Sequence, residues 1–143
     1  MSTLPHREIA CAILIDTSGR FLLQQRDNVP GIVYPGKVGL FGGHREGTET
    51  FMQCVVREIY EEISYFVPPS HFEHLTRYEG NDPEINGGTV YGEFFVARDL
   101  PAECLVITEG SLRIIRPDEV AAIKPDLTPS ARFAITTFLK DER

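Results

Sequence analysis

Seven consecutive apolar residues, Ile9 to Ile15, stand between Glu8 and Asp16. The run is too short for a membrane span. Acids bracket it and no small-residue cleavage site follows, so it is a poor leader segment. Its length and β-branched content predict a buried strand, Ile9–Asp16. Thr17-Ser18-Gly19-Arg20 reads as a turn and Phe21–Arg26 as a second strand, which together make a hairpin. Asp27–Gly36 carries Pro30, Gly31, Pro35 and Gly36 and is a loop. Lys37–Phe41 predicts a short strand, and the polar, glycine-rich Gly42–Glu49 a further loop.

The period then changes. Met52, Val55, Val56, Ile59 and Ile63 recur at three and four residues, the spacing of one helix face. Thr48 or Thr50 can cap its start, and Pro68-Pro69 stops anything beyond, so a helix is expected over about Thr50–Ser64. Phe72–Tyr78 and Thr89–Ala97 read as strands around the turn-rich loop Gly80–Gly88. Leu105–Thr108 and Leu112–Ile115 are short strand candidates flanking Glu109-Gly110. Pro117-Asp118-Glu119 can open a short helix, and Ser130–Lys140 forms the last one. Strands and helices mix without strict alternation, which fits an α+β or mixed-sheet α/β sandwich. At 143 residues the expectation is one domain, 1–143.

Composition narrows the function classes. Apolar residues make up 42% and charged residues 24%, values of a globular rather than a disordered chain. Fourteen basic against 21 acidic residues leave a net charge of −7. Nucleic acid polymers and anionic membranes are repelled overall by such a chain, so any phosphate must be handled locally or through a bound cation. Cys11, Cys54 and Cys104 are widely spaced and form no CxxC pair. That suggests neither a disulfide framework nor a zinc ribbon, and the simple reading is a reducing, cytoplasmic compartment.

The helix over Thr50–Ser64 carries an anomaly. Glu58, Glu61 and Glu62 share an arc of about 100°. They repel one another and lie near the C-terminal end, where the helix dipole disfavours negative charge. A hard divalent cation such as Mg²⁺, which takes carboxylate oxygens, waters and substrate phosphate, would offset this. The alternative is a solvated acidic face with Arg57 as a local ion-pair partner.

Gly43, Glu49, Arg57-Glu58-Ile59 and Glu61-Glu62 resemble the signature of the Nudix hydrolase family. That signature reads G, five residues, E, seven residues, R-E-U-x-E-E-x-G-U, where U is a bulky aliphatic; six of its seven named residues are present. Leu22–Arg26 and Leu40–Gly43 resemble the flanking strands. Ser64 replaces the closing glycine, Tyr65 the last aliphatic, and Phe41 a proline common before Gly42-Gly43. The glycine usually ends the helix in a left-handed conformation, which is costly for serine.

The resemblance implies an α/β/α sandwich, with the motif helix on one side of a mixed sheet and the C-terminal helix on the other. It implies hydrolysis of a diphosphate linkage in a nucleoside di- or triphosphate derivative. One to three Mg²⁺ ions activate the attacking water, with Mn²⁺ able to substitute. Glu58 and Glu62 would ligate metal directly, Glu61 directly or through water, and the Gly42 carbonyl can join them. Glu58 is the favoured general base. Arg57 and Glu49 would form an ion pair that orients this catalytic helix and its loop, with Gly43 structural. A further acid often comes from outside the motif: Glu109 is the first candidate and Glu93 its rival. Arg26, Lys37, His44, Arg45 and, less strongly, Arg77 are candidate substrate contacts. The expected partner is a small nucleotide, with no nucleic acid polymer and no membrane; relatives often pair as homodimers.

Two other classes remain open. One is a Nudix-like domain that senses a nucleotide sugar without turnover, although such domains usually lose carboxylates that this chain keeps. The other is isomerisation of a prenyl diphosphate, which needs a cysteine near the site, and Cys54 lies on the side of Glu58. Gly31–Val38 nearly matches a P-loop, but Val38 stands where a hydroxyl must hold Mg²⁺. His71 and His74 have no partners for zinc. Tyr34, Phe41 and Tyr78 can stack on a base, with core packing the default for Phe41.

Overall fold

The computed structural model describes residues 5–141; residues 1–4 and 142–143, the ends of the expected 1–143 domain, lie outside that range. The hairpin forms as read. Strand β1 (His6–Asp16) turns into β2 (Phe21–Gln25), and the Asp16 carboxylate holds the turn. It accepts from the Ser18 and Arg20 backbone N–H groups at 2.9 and 2.8 Å.

The strand expected over Lys37–Phe41 breaks at Leu40 and runs on past Phe41. Residues 38–44 form two short strands, β3 (Val38–Gly39) and β4 (Phe41–His44), so Gly42–His44 is strand and not loop. The reason is tertiary. Strand β6 (Thr89–Leu100) runs parallel to β1 along its whole length, from His6↔Thr89 to Asp16↔Leu100. It fills one edge of β1, so β2 and β4 must share the other. Strand β7 (Ser111–Ile115) likewise fills one edge of β2. Residues 38–44 enter where β1 and β2 splay apart, pairing first with β2 and then with β1. Strand β5 (Phe72–Asn81) completes the mixed sheet, antiparallel to β6.

Helix α1 (Phe51–Ile63) covers one face. Thr50 caps it through a capping box with Gln53, and Ser64 closes it with φ 54° and ψ 34°. Serine therefore adopts the left-handed conformation expected of the replaced glycine. Cys54, Val55, Ile59 and Ile63 pack on Ala10, Ala12, Leu14 and Phe41. After one turn at Pro117–Glu119 and the short α2 (Val120–Ile123) comes α3 (Pro129–Asp141), which covers the other face. There Ala131, Ile135 and Phe138 meet Ile9, Ile13 and Phe21. The result is an α/β/α sandwich. Among the described residues no helix is long and apolar enough to cross a membrane.

Leu105–Thr108 is not a strand. It docks on the end of α1, where the Val106 N–H donates to the Ile63 carbonyl and the Thr108 N–H to the Glu62 carbonyl, each at 3.0 Å. These are carbonyls that a helix end leaves without an internal partner.

Candidate active site

Alternation along β4 decides which residues meet α1. Phe41 joins the core beneath α1, and Gly43 shares its face. A Cβ at Gly43 would lie 2.4 Å from the Glu58 carboxyl carbon, so only glycine lets the helix approach this strand so closely. Arg57 organises the far side. Its Nε and Nη2 donate to the two Glu49 oxygens at 2.6 and 3.0 Å, and Nη2 also reaches the His44 carbonyl at 3.0 Å. The Arg57 guanidinium, with help from the Glu46 N–H, holds Glu49 down at about 2. Arg57 Nη1 also donates to Glu58 at 2.9 Å and Glu61 at 3.2 Å.

Among the described residues Glu62 has no such cation. It is half-buried and accepts there only the Gly42 N–H, at 2.8 Å. Burial pushes it up to about 8, and the charges of Glu58, Glu109 and Glu61 push the same way. Glu109 reaches this neighbourhood because its segment is held from two sides. Thr108 is tied to α1, and the Gln24 side-chain amide donates to the Glu109 carbonyl at 3.0 Å. Gly110 then turns with φ 68°, where a Cβ would come within 2.3 Å of the Gln25 carbonyl oxygen.

Glu93, the rival acid, sits elsewhere. It pairs with Ala10, which pairs with Gly43 on its other side, so it lies two strands from the Glu58 contact. Its carboxylate is engaged by His74 and Tyr91.

Of the five basic candidates, Arg77 lies on β5 opposite Glu93, and the other four separate. Arg26 borders a cleft of about 250 Å³ with Gln24, Asp27, Ile32, Glu109 and Gly110; its Nε donates to the Val33 carbonyl at 2.6 Å. Lys37 turns to the Pro125 carbonyl at 3.3 Å. Arg45 clasps Glu8 and the Glu49 carbonyl, at 2.5 and 2.8 Å. The His44 ring stands 3.4 Å from Arg7, on the α3 side by the same alternation that turns Gly43 toward α1. Lys37, His44 and Arg45 are thus not brought to the carboxylates.

Sequence reasoning missed two features. Gln24 is a buried amide within a strand, with nothing local to mark it. The second is an aromatic cavity of about 180 Å³ on the α3 side, where Tyr78, Phe94 and Phe133 meet Ile9 and Arg7. Arg7 is neutralised there by the buried Asp82, at 2.6 Å across 75 positions of sequence. The signal for this pair exists only in the folded chain.

Among the described residues no three His, Cys, Asp or Glu side chains surround one point as a bound cation requires. Arg57 stands between Glu58 and Glu61, and Glu62 is turned onto Gly42. The donors themselves are all hard oxygens beside a half-buried acid without a counter-charge, a set suited to Mg²⁺ or Mn²⁺.

The fold has many solved counterparts. The MutT protein of Methanosarcina mazei Go1 superposes with a TM-score of 0.81 at 17% identity, over 100% of this chain and 99% of that one. The MutT NUDIX hydrolase of Burkholderia pseudomallei gives 0.71 at 24% identity, over 92% and 97%. A bifunctional NMN adenylyltransferase/ADP ribose pyrophosphatase from Francisella tularensis, complexed with AMP and a Mn ion, gives 0.71 at 18%, over 99% of this chain and 43% of that one. No curated protein matches the sequence significantly. The NUDIX domain profile, however, matches residues 5–133 and takes in β4, α1 and every carboxylate of the cluster; the chain belongs to the NUDIX family.

Proposed function

We propose that this NUDIX enzyme is a metal-dependent pyrophosphohydrolase that cleaves the diphosphate linkage of a nucleoside di- or triphosphate derivative, using Mg²⁺ or Mn²⁺. One observation carries the reading: Glu62 is half-buried, lies near the charges of Glu58, Glu61 and Glu109, and has among the described residues a single backbone N–H for a partner. Isolated buried acids are destabilising, and a cation shared with a substrate diphosphate gives this arrangement a use. When bound, the cation neutralises phosphate oxygens and acidifies the attacking water.

Glu58, Glu62, Glu109 and the Gly42 carbonyl would hold it, with Glu61 direct or through water. Glu58 is positioned by Arg57 and is the proposed proton acceptor for the attacking water. Arg57 and Glu49 act at one remove, by fixing the helix to its loop. Arg26, whose guanidinium pairs with no carboxylate among the described residues, would meet the phosphates. The rings of Tyr78, Phe94 and Phe133 offer planar faces for a base. That cavity includes Ile9, whose partner in the ladder is His44, the neighbour of Gly43. The phosphates would therefore cross the end of β4.

The test is turnover of a nucleotide panel by the purified protein with Mg²⁺ or with EDTA, beside Glu62→Gln. The expected result is metal-dependent release of phosphate or a nucleoside monophosphate, lost in the variant. Tight binding of one nucleotide with no turnover of any would instead favour a sensing domain.

A further inference from the structure

The loop between β5 and β6 carries Asn86-Gly87 at its tip, apart from the carboxylate cluster. We propose that Asn86 is a site of spontaneous succinimide formation, which converts it to aspartate and isoaspartate as the protein ages. The loop is permissive in its exposure and its hydrogen bonding. Asn86 and Gly87 are both exposed. Apart from its chain neighbours, no atom lies within 4 Å of the place a Gly87 Cβ would occupy, so the turn is open on that side. Neither the Asn86 amide nor the Gly87 N–H has a hydrogen-bond partner among the described residues. The tip is closed by the Gly88 N–H donating to the Ile85 carbonyl and, at the loop's base, by the Asp82 N–H donating to the Gly88 carbonyl, each at 2.9 Å. Glycine at this point also lets the peptide swing toward the side chain.

The chemistry balances within the chain and water. The Gly87 nitrogen gives its proton to solvent base and attacks Asn86 Cγ. The new C–N bond closes a cyclic imide, and the side-chain nitrogen leaves as ammonia after taking a proton from water. Water then adds to either imide carbonyl. Cleavage of the new bond gives aspartate; cleavage of the original peptide bond gives isoaspartate, with the main chain rerouted through the side-chain carbon.

The other two asparagines are protected. The amide that would attack Asn81 belongs to the buried Asp82, and it already donates to the Gly88 carbonyl at 2.9 Å. Asn28 precedes the β-branched Val29, and its side chain lies 3.4 Å from the space Gly36 leaves open. Conversion at Asn86 adds a negative charge to a loop whose Asp82 and Glu84 are anchored by Arg7 at 2.6 and 3.0 Å. Isoaspartate also lengthens the backbone of the turn.

The experiment is peptide mapping of the full chain after prolonged incubation at mildly alkaline pH, with enzymatic methylation to mark isoaspartate, beside Asn86→Gln. The peptide containing Asn86 should divide into aspartyl and isoaspartyl forms while those with Asn28 and Asn81 stay intact. The exposed Asn86→Gln variant should acquire no mark. An unchanged Asn86 peptide, or equal conversion at all three asparagines, overturns the proposal. Neither readout depends on whether the protein hydrolyses nucleotides.

Discussion

Replacing Glu62 by glutamine tests whether the cluster is built around an acid the fold alone does not satisfy. The group is held at about 8 against an ordinary value of 4.5. A carboxyl raised in this way binds its proton more tightly folded than unfolded, so folding takes up a proton between those limits. Its contribution to stability is fully present below the unfolded value and is lost as pH climbs through the folded one. At about 1.4 kcal/mol for each pH unit between the two, the loss is at most about 5 kcal/mol. Partial exposure and screening bring it to about 2–3 kcal/mol. A chain of this length shifts its melting temperature by about 3 °C for each kcal/mol, which makes the change roughly 6–9 °C.

Glutamine has the same shape, keeps an oxygen for the Gly42 N–H and carries no charge at any pH. Thermal unfolding in EDTA should therefore show wild type falling below Glu62→Gln between about pH 5 and pH 9. Mg²⁺ should then raise the wild type and leave the variant unmoved. Parallel melting curves for the two proteins across that range would refute the account of Glu62 as an unpaired, half-buried acid.

Ser64→Gly should raise the melting temperature by about 1–3 °C, because it relieves about 1 kcal/mol of left-handed strain at the end of α1 and is partly offset by glycine's backbone entropy; calorimetry of this variant beside Ser64→Ala, which keeps the strain, checks it. Arg57→Lys replaces the fork that grips both Glu49 oxygens with a point charge. Its kcat should fall roughly 10- to 100-fold with the overall fold intact by circular dichroism. Glu109→Gln should weaken Mn²⁺ binding on the order of 10-fold by paramagnetic resonance titration, whereas Glu93→Gln should leave it unchanged; equal losses would mean that the extra acid has been misassigned.

Local order was readable where local interactions enforce it. The three- and four-residue spacing from Met52 to Ile63, the Thr50 cap and the odd serine at position 64 all reappear in α1 because helix signals are contiguous. The Arg57–Glu49 pair followed from the motif. The strand expected over Lys37–Phe41 is present as β3 and the start of β4, but its continuation through Gly42–His44 was not legible, since Gly42-Gly43 has the composition of a loop. Only the divergence of β1 and β2 makes Gly42–His44 strand. The same blindness misplaced His44, because alternation from Phe41 sends it to the α3 side once β4 is known to be a strand. Residue type alone does not foretell that Lys37 reaches the Pro125 carbonyl or that Arg45 clasps the Glu8 carboxylate. Leu105–Thr108 was apolar enough for a strand, but its N–H groups found the open carbonyls of α1 before any neighbouring strand.

The parallel union of β1 with β6 has a kinetic consequence. His6 meets Thr89 and Asp16 meets Leu100, so β1 completes its ladders only after most of the chain has been made and a long loop has closed. Non-local pairing of this kind slows folding and favours all-or-none assembly. β1 is also the strand that seats β4, and through Gly43 it sets the distance to Glu58. Glu58, Glu61 and Glu62 are neighbours as soon as α1 forms. Gly43 and the segment of Glu109, by contrast, meet them only through strand pairing that links distant parts of the chain.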